Sequence, residues 1–245
     1  MNGLYQKKTI KNRKEKEEIF RRFITNITRF KKRILSFSQN KYTSELTFQK
    51  EWANKFRDNK SSVLEYWRKY RYFDEIFKYC KIKDNTRILD VGCGISSVLH
   101  FINGERYGID PLAHQYKKLY EYPEGITIQQ GRGERISFPD SFFDIVFCSN
   151  VLDHTTDPEK TLEEIYRVLK KKGHFILTVE VFEEKIKRDL AHPHSLKKKE
   201  VYSLLEDKFV PIFERESPWI GLRAYVNGSR KSKKNELIMI LNKLT

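Results

Sequence analysis

Apolar and polar positions alternate differently in three stretches of the chain. Between residues 19 and 37, Ile19, Phe20, Phe23, Ile24, Ile27, Phe30, Ile34, Leu35 and Phe37 gather within an arc of about 160° when wound at about 100° per residue. Arg21, Arg22, Arg29, Lys32 and Arg33 fall opposite them. The pattern predicts a basic amphipathic helix in an extension over residues 1–40. Its apolar stripe suits packing on the following domain or docking on an anionic membrane surface. Residues 41–83 are rich in aromatic side chains. There Ser62 and Glu65 form a capping box before Val63, Trp67, Tyr70 and Phe77 at helical spacing, which predicts a helical cap, some of whose rings could line a pocket.

From residue 84 to 245 the pattern changes to short apolar runs separated by turn residues. Arg87–Val91, Arg106–Ile109 and Phe143–Ser149 are the right length for buried parallel strands. Ile95–Ile102 reads as a short helix, and a longer one opens at Pro158, buries Leu162, Ile165, Tyr166 and Leu169, and is expected to end at Gly173. Strands are expected from Pro211 to Glu216 and from Glu236 to Leu241, and Ser195 is expected to cap a helix after the Ala191–Ser195 segment. Strands alternating with helices predict an α/β fold.

The first of these strands runs directly into Gly92-Cys93-Gly94. Strand, glycine turn and helix make a nucleotide-binding arrangement, because glycine permits the tight turn and lets the backbone approach a ligand. A dinucleotide fingerprint would carry a third glycine at Ser97, so NAD and FAD are disfavoured. Asp110 ends the second strand, where a carboxylate can accept hydrogen bonds from both hydroxyls of a ribose. Asn150, Val151, Leu152, Asp153 and His154 follow the Phe143–Ser149 strand at the edge where ligands of open α/β sheets lie.

Composition adjusts this picture in three places. The chain has 245 residues, is 39% hydrophobic and 33% charged, and no apolar run approaches the roughly 20 residues that span a bilayer. No signal peptide is evident behind Met1–Lys16. Cys80, Cys93 and Cys148 form neither C-x-x-C nor a Cys/His cluster, which argues against disulfides and a zinc site and for a cytoplasmic setting, peripheral to the membrane if the extension docks there. The net charge of +15 suggests a polyanionic partner until it is counted by segment. Residues 1–86 hold 23 basic and 10 acidic groups, whereas residues 87–180 hold 11 and 14. The excess therefore belongs mostly to the N-terminal part, and the glycine-turn region is slightly acidic.

ILDVGCG (88–94), YGIDP (107–111) and the run from Gly131 to Leu177 together resemble class I S-adenosylmethionine-dependent methyltransferases, most closely the type 11 group that includes ubiquinone and menaquinone biosynthesis enzymes. The resemblance covers about residues 85–210 and implies a Rossmann-like, seven-stranded, mostly parallel sheet with an antiparallel C-terminal strand, and S-adenosylmethionine as cofactor. By resemblance, Asp90, Gly92, Cys93 and Gly94 hold the amino-acid end of the cofactor, Asp110 takes the ribose, and Pro111 and Leu112 lie beside the adenine. Gly133 and Glu134 flank the adenine, with Arg132 where many relatives carry an Asp, and Asn150 and Val151 complete the cofactor site.

His154 is the candidate base, since it follows the fourth strand and faces the expected methyl position, with Asp153 as runner-up. His192 and His194 stand where the family builds a lid. The expected reaction is direct in-line methyl transfer to a small-molecule, sugar or lipid-linked acceptor. RNA or protein methylation using the basic N-terminus is the alternative. Nucleic acid is the less favoured partner, because the residues after the fourth strand read Ser-Asn-Val-Leu rather than the tetrapeptides that hold planar amino groups. A cofactor-binding scaffold without activity is the third reading.

Overall fold

The computed structural model describes residues 41–54, 72–186, 188, 192–218 and 235–244. The amphipathic stripe at 19–37 and the capping box at Ser62 and Glu65 lie outside them. The chain divides into two compact units, Met1–Thr43 and Ser44–Thr245. The second unit contains the whole sheet.

Seven strands form that sheet: β1 (Arg87–Val91), β2 (Glu105–Asp110), β3 (Ile126–Gln130), β4 (Phe143–Ser149), β5 (Leu169–Val181), β6 (Phe209–Pro218) and β7 (Asn235–Lys243). Their order is β3-β2-β1-β4-β5-β7-β6. Pairing is parallel from β3 through β5, and β7 runs antiparallel to both β5 and β6. This is the Rossmann-like, mostly parallel sheet with an antiparallel C-terminal strand that the family resemblance implies. Central strands are buried on both faces, which is why β1 and β4 read as nearly continuous apolar runs. A cluster around Leu89, Val146, Leu162, Ile165 and Phe175 packs the Pro158–Val168 helix on one face.

Three boundaries differ from expectation, each for a local reason. Ile95–Ile102 contains only a 3-10 turn, Val98–His100. There the Ser97 hydroxyl accepts from Leu99 N and donates to Asp90, so it competes with continuous helical bonding. The helix from Pro158 stops at Val168 rather than Gly173, because Leu169 already pairs with Phe143 as the start of β5. The extra residues before His174 are taken up in an irregularity where Lys172 has φ 62°. Ser195 does not cap the following helix, which spans Lys198–Leu205 behind Lys197. Its Oγ accepts instead from Ile186 N at 3.1 Å, tying the loop after β5 to itself.

Candidate active site

One side of the site is built at the ends of β1 and β2. Val91 pairs with Ile109 and with Cys148, so these strands end level with β4. Gly92 and Gly94 then turn the chain with φ of 70° and 52°, the left-handed region that favours glycine. Gly92 N and Cys93 N both donate to Ile109 O, folding the turn over the end of β2. A Cβ on Gly92 would stand 2.4 Å from Val151 Cγ2, so the missing side chain is what lets the turn approach the segment after β4.

Asp110 holds this turn in place. Its Oδ2 accepts from Gly94 N at 3.2 Å and its Oδ1 from Leu112 N at 2.8 Å. It is 8% exposed, and burial pushes its carboxyl up to about 7 although both N–H groups pull the other way. Asp90 is turned inward onto the Ser97 hydroxyl at 2.7 Å, and burial raises it to about 7 as well. The Cys93 thiol is buried and pushed far up, chiefly by that burial, so it is a packing group rather than a nucleophile.

Two residues that the sequence did not single out complete the turn. Gln49, on the helical residues before position 55, accepts from Ile95 N through Oε1 at 2.8 Å and donates through Nε2 to Glu45. A Cβ on Gly94 would meet that amide at 2.7 Å. Tyr122 donates its hydroxyl to Gly94 O at 2.8 Å, and its ring stacks on His100. Aromatic richness in 41–83 pointed to coverage of the core, but nothing local marked Gln49 or Tyr122.

The segment expected beside the adenine is held differently by its parts. Arg132 bridges to Arg135, and Arg132 is only partly buried. Gly133 is buried, where a Cβ would meet Thr161 Cγ2 at 2.7 Å. Glu134 reaches across to accept from Thr156 N at 2.6 Å, just ahead of the Pro158–Val168 helix. Its carboxylate thus secures a loop junction. Pro111 O accepts from Gln130 Nε2, which fastens the turn after β2 to the end of β3.

The other side begins at Asn150, whose φ of 54° bends the chain out of β4. Asn150 N donates to Thr178 O and Nδ2 donates to Glu236 Oε1, while the buried Oδ1 has no hydrogen-bond partner. A short turn, Leu152–His154, follows. Asp153, 1% exposed, pairs through Oδ2 with Arg188 Nη2 at 2.5 Å, and Arg188 Nη1 pairs with Glu180 Oε2 at 2.9 Å. His154 is half-buried, with its ring centroid 4.1 Å from that of His192. His194 is engaged elsewhere, its Nε2 3.0 Å from Thr155 O. Arg188 thus takes one oxygen of Asp153, while the other, Oδ1, lies 4.0 Å from His154 Nε2, and the His154 ring also meets His192.

No metal was expected from the cysteine pattern, yet donor atoms of Asp153, His154 and His192 lie within 4.8 Å of one another. Arg188, Glu180, His192 and Glu236 join this side from positions remote in sequence.

The strand order reverses between β1 and β4, so the glycine turn, Asp110 and Asn150–His154 line the crevice at the switch point of an open parallel sheet. Such crevices hold ligands. A methyltransferase domain family matches residues 89–177, which carry the glycine turn, Asp110 and the whole of β4. Over those residues the chain is similar to class I S-adenosylmethionine-dependent methyltransferases of the type 11 group. Methyltransferases of this fold draw the methyl group from S-adenosylmethionine.

Relatives span several chemistries. The uncharacterized methyltransferase YcgJ of Bacillus subtilis is 28% identical over 131 residues, 48% of this chain and 52% of its own. Its crystal structure superposes with a TM-score of 0.54 at 20% identity, covering 71% of this chain and 98% of that one. A sterol 24-C-methyltransferase of Aspergillus fumigatus is 30% identical over 38% of this chain and 28% of its own length. A tRNA U34 carboxymethyltransferase of Campylobacter curvus is 27% identical over 62% of this chain and 52% of its own. The chain thus spans about half the length, or less, of these curated relatives.

Proposed function

We propose that the protein transfers a methyl group from S-adenosylmethionine to a small-molecule, sugar or lipid-linked acceptor. The observation that carries the reading is the buried Asp110 carboxylate set against the glycine turn at the β1–β4 switch point. Each Asp110 oxygen takes one backbone N–H and keeps a lone pair for a ribose hydroxyl. Asn150 Oδ1, buried without a partner, offers a further acceptor on the same edge. Both fit a ligand with several donor groups. Asp90 sustains the turn from below, and Gly92, Cys93 and Gly94 present backbone to the amino-acid end. Pro111, Leu112, Gly133, Glu134 and Val151 shape the rest of the cofactor site.

S-Adenosylmethionine supplies a methyl group on a sulfonium, which an acceptor displaces in line as a neutral thioether leaves. The protein's task is to hold the two in a dry crevice at attack distance, an effect that can supply about 7–11 kcal/mol of barrier lowering. His154 stands at the acceptor edge and is the side chain placed to receive a proton from an oxygen acceptor. Asp153, paired to Arg188, keeps that short turn in place.

A tRNA acceptor is the second reading, favoured by the likeness to a tRNA U34 carboxymethyltransferase and by the basic N-terminal segment. Its RNA affinity should fall steeply with salt and depend on Arg21, Arg22, Lys32 and Arg33. The stripe at 19–37 would hold the protein at an anionic membrane surface of the cytoplasm. Flotation with anionic liposomes, comparing the full chain with a form lacking residues 1–40, tests that placement, and equal behaviour of the two counts against it. The donor reading is tested by calorimetry with S-adenosylmethionine and S-adenosylhomocysteine. Both should bind, Asp110→Ala should weaken binding at least tenfold, and failure of the unaltered protein to bind either would overturn the assignment.

A further inference from the structure

Asp153 and His154 leave β4 on one short turn, and His192 is brought against them by the segment after β5. One donor atom from each lies within 4.8 Å of the other two. We propose that Asp153, His154 and His192 form a binding site for a divalent first-row transition-metal ion such as Zn2+.

The carboxylate carries the argument. Asp153 is 1% exposed, its Oδ2 is held by Arg188, and its Oδ1 is buried with no hydrogen-bond partner, 4.0 Å from His154 Nε2. A buried carboxylate oxygen left unpaired is costly, and a cation between it and the imidazoles would satisfy it. Arg188 turns the carboxylate so that Oδ1 faces His154, the orienting role of a group behind a ligand. Glu180 offsets the Arg188 charge at 2.9 Å, leaving the trio of side chains with a formal charge of −1 that favours a cation.

Two imidazoles and one carboxylate suit zinc, iron, cobalt or nickel, whereas magnesium and calcium prefer all-oxygen shells. Ligand atoms at about 2.0–2.2 Å from a tetrahedral zinc stand about 3.3 Å apart, so small rotations of the two rings would close the site. Three protein ligands leave at least one position open. That the open position faces the acceptor rests on the proposed methyl transfer; ion binding itself does not. With the ion bound His154 serves as a ligand, so its role as proton acceptor belongs to the ion-free protein.

Equilibrium dialysis of the full chain against micromolar Zn2+, with metal content read by mass spectrometry, tests the site. One tightly held zinc per chain is expected, undisturbed by millimolar Mg2+. His192→Ala, at a half-buried position, should weaken zinc at least tenfold while binding S-adenosylhomocysteine normally. His154→Ala should show the same loss. Absence of stoichiometric zinc, or zinc held equally well by both variants, would overturn the proposal. Loss of S-adenosylhomocysteine binding by the unaltered protein would strike the methyl-donor reading and leave the ion site standing.

Discussion

The two sides of the β1–β4 crevice handle buried charge in opposite ways. On the donor side Asp90 and Asp110 are held by a hydroxyl and backbone N–H groups, and burial raises both to about 7. On the acceptor side Asp153 and Glu180 share the Arg188 guanidinium, itself only 7% exposed. A carboxylate satisfied by neutral donors retains a cost that an incoming ligand can relieve. One clamped by a guanidinium is a fixed part of the structure. The donor-side carboxylates should thus respond to mutation mainly through binding, and the Arg188 clamp mainly through stability.

Removing the clamp gives the largest expected effect. Arg188→Ala takes the shared guanidinium away from two buried carboxylates, Asp153 and Glu180, and breaking such a pair from one side costs about 3–5 kcal/mol. Urea unfolding of the variant should show this loss. A change below about 1 kcal/mol would mean that water reaches the cluster, and the contrast between the two sides would collapse.

Gly92→Ala should come next. The φ of 70° strains any residue with a Cβ, and that Cβ would stand 2.4 Å from Val151 Cγ2. Strain of this kind costs about 1–3 kcal/mol. Thermal unfolding should show the loss, and Val151→Ala in the same chain should recover the part caused by the clash but not the part caused by φ. Full recovery would show that contact, rather than backbone conformation, requires the glycine.

These two positions also show how far the sequence could be read. Gly92 was identifiable because its cause is local: an apolar strand ends, a glycine pair follows, and Asp110 closes the next strand. The limits of β1 and β4 were readable for the same reason, as short apolar runs bounded by turn residues. Arg188 was not, since its partners Glu180 and Asp153 lie on β5 and beyond β4, and a basic residue in a polar loop carries no mark of burial. Likewise, the 3-10 turn at Val98–His100 depends on a hydroxyl answering Asp90, and the early end of the helix at Val168 depends on Leu169 pairing with Phe143. His192 could be flagged as a lid residue, but its approach to His154 belongs to the tertiary fold.

A smaller effect should come from the cover of the glycine turn. Tyr122→Phe removes the donor to Gly94 O, a hydrogen bond worth about 0.5–1.5 kcal/mol net. If the turn is shaped for the donor, S-adenosylhomocysteine affinity in calorimetry should fall by a few-fold, with a comparably small loss of stability. Unchanged affinity with reduced stability would move Tyr122 from the donor site to the scaffold.

A pH-dependent effect, at most about 1.4 kcal/mol per pH unit for a single group, concerns a carboxyl that does not fit the contrast neatly. Glu236 lies on the acceptor side, yet burial raises it to about 7, while Asn150 and Arg215 pull it down only in part. An acid raised by folding contributes stability that is full below its unfolded value of about 4.5 and is lost as pH rises through about 7. Asp90 and Asp110 act in the same direction. His174, lowered chiefly by burial, opposes them below about pH 6.5, and the lowered Glu164, Glu200 and Glu216 matter only in more acidic solution. Unfolding free energy should therefore decline as pH rises from about 5 to about 7.5 and level off above that. Glu236→Gln keeps an acceptor for Asn150 Nδ2 but cannot ionise, so its stability relative to the unaltered protein should grow as pH rises across that window. Parallel pH profiles for the two proteins would show that Glu236 is already ionised in the folded protein, and the contrast between the two sides would then rest on Arg188 alone.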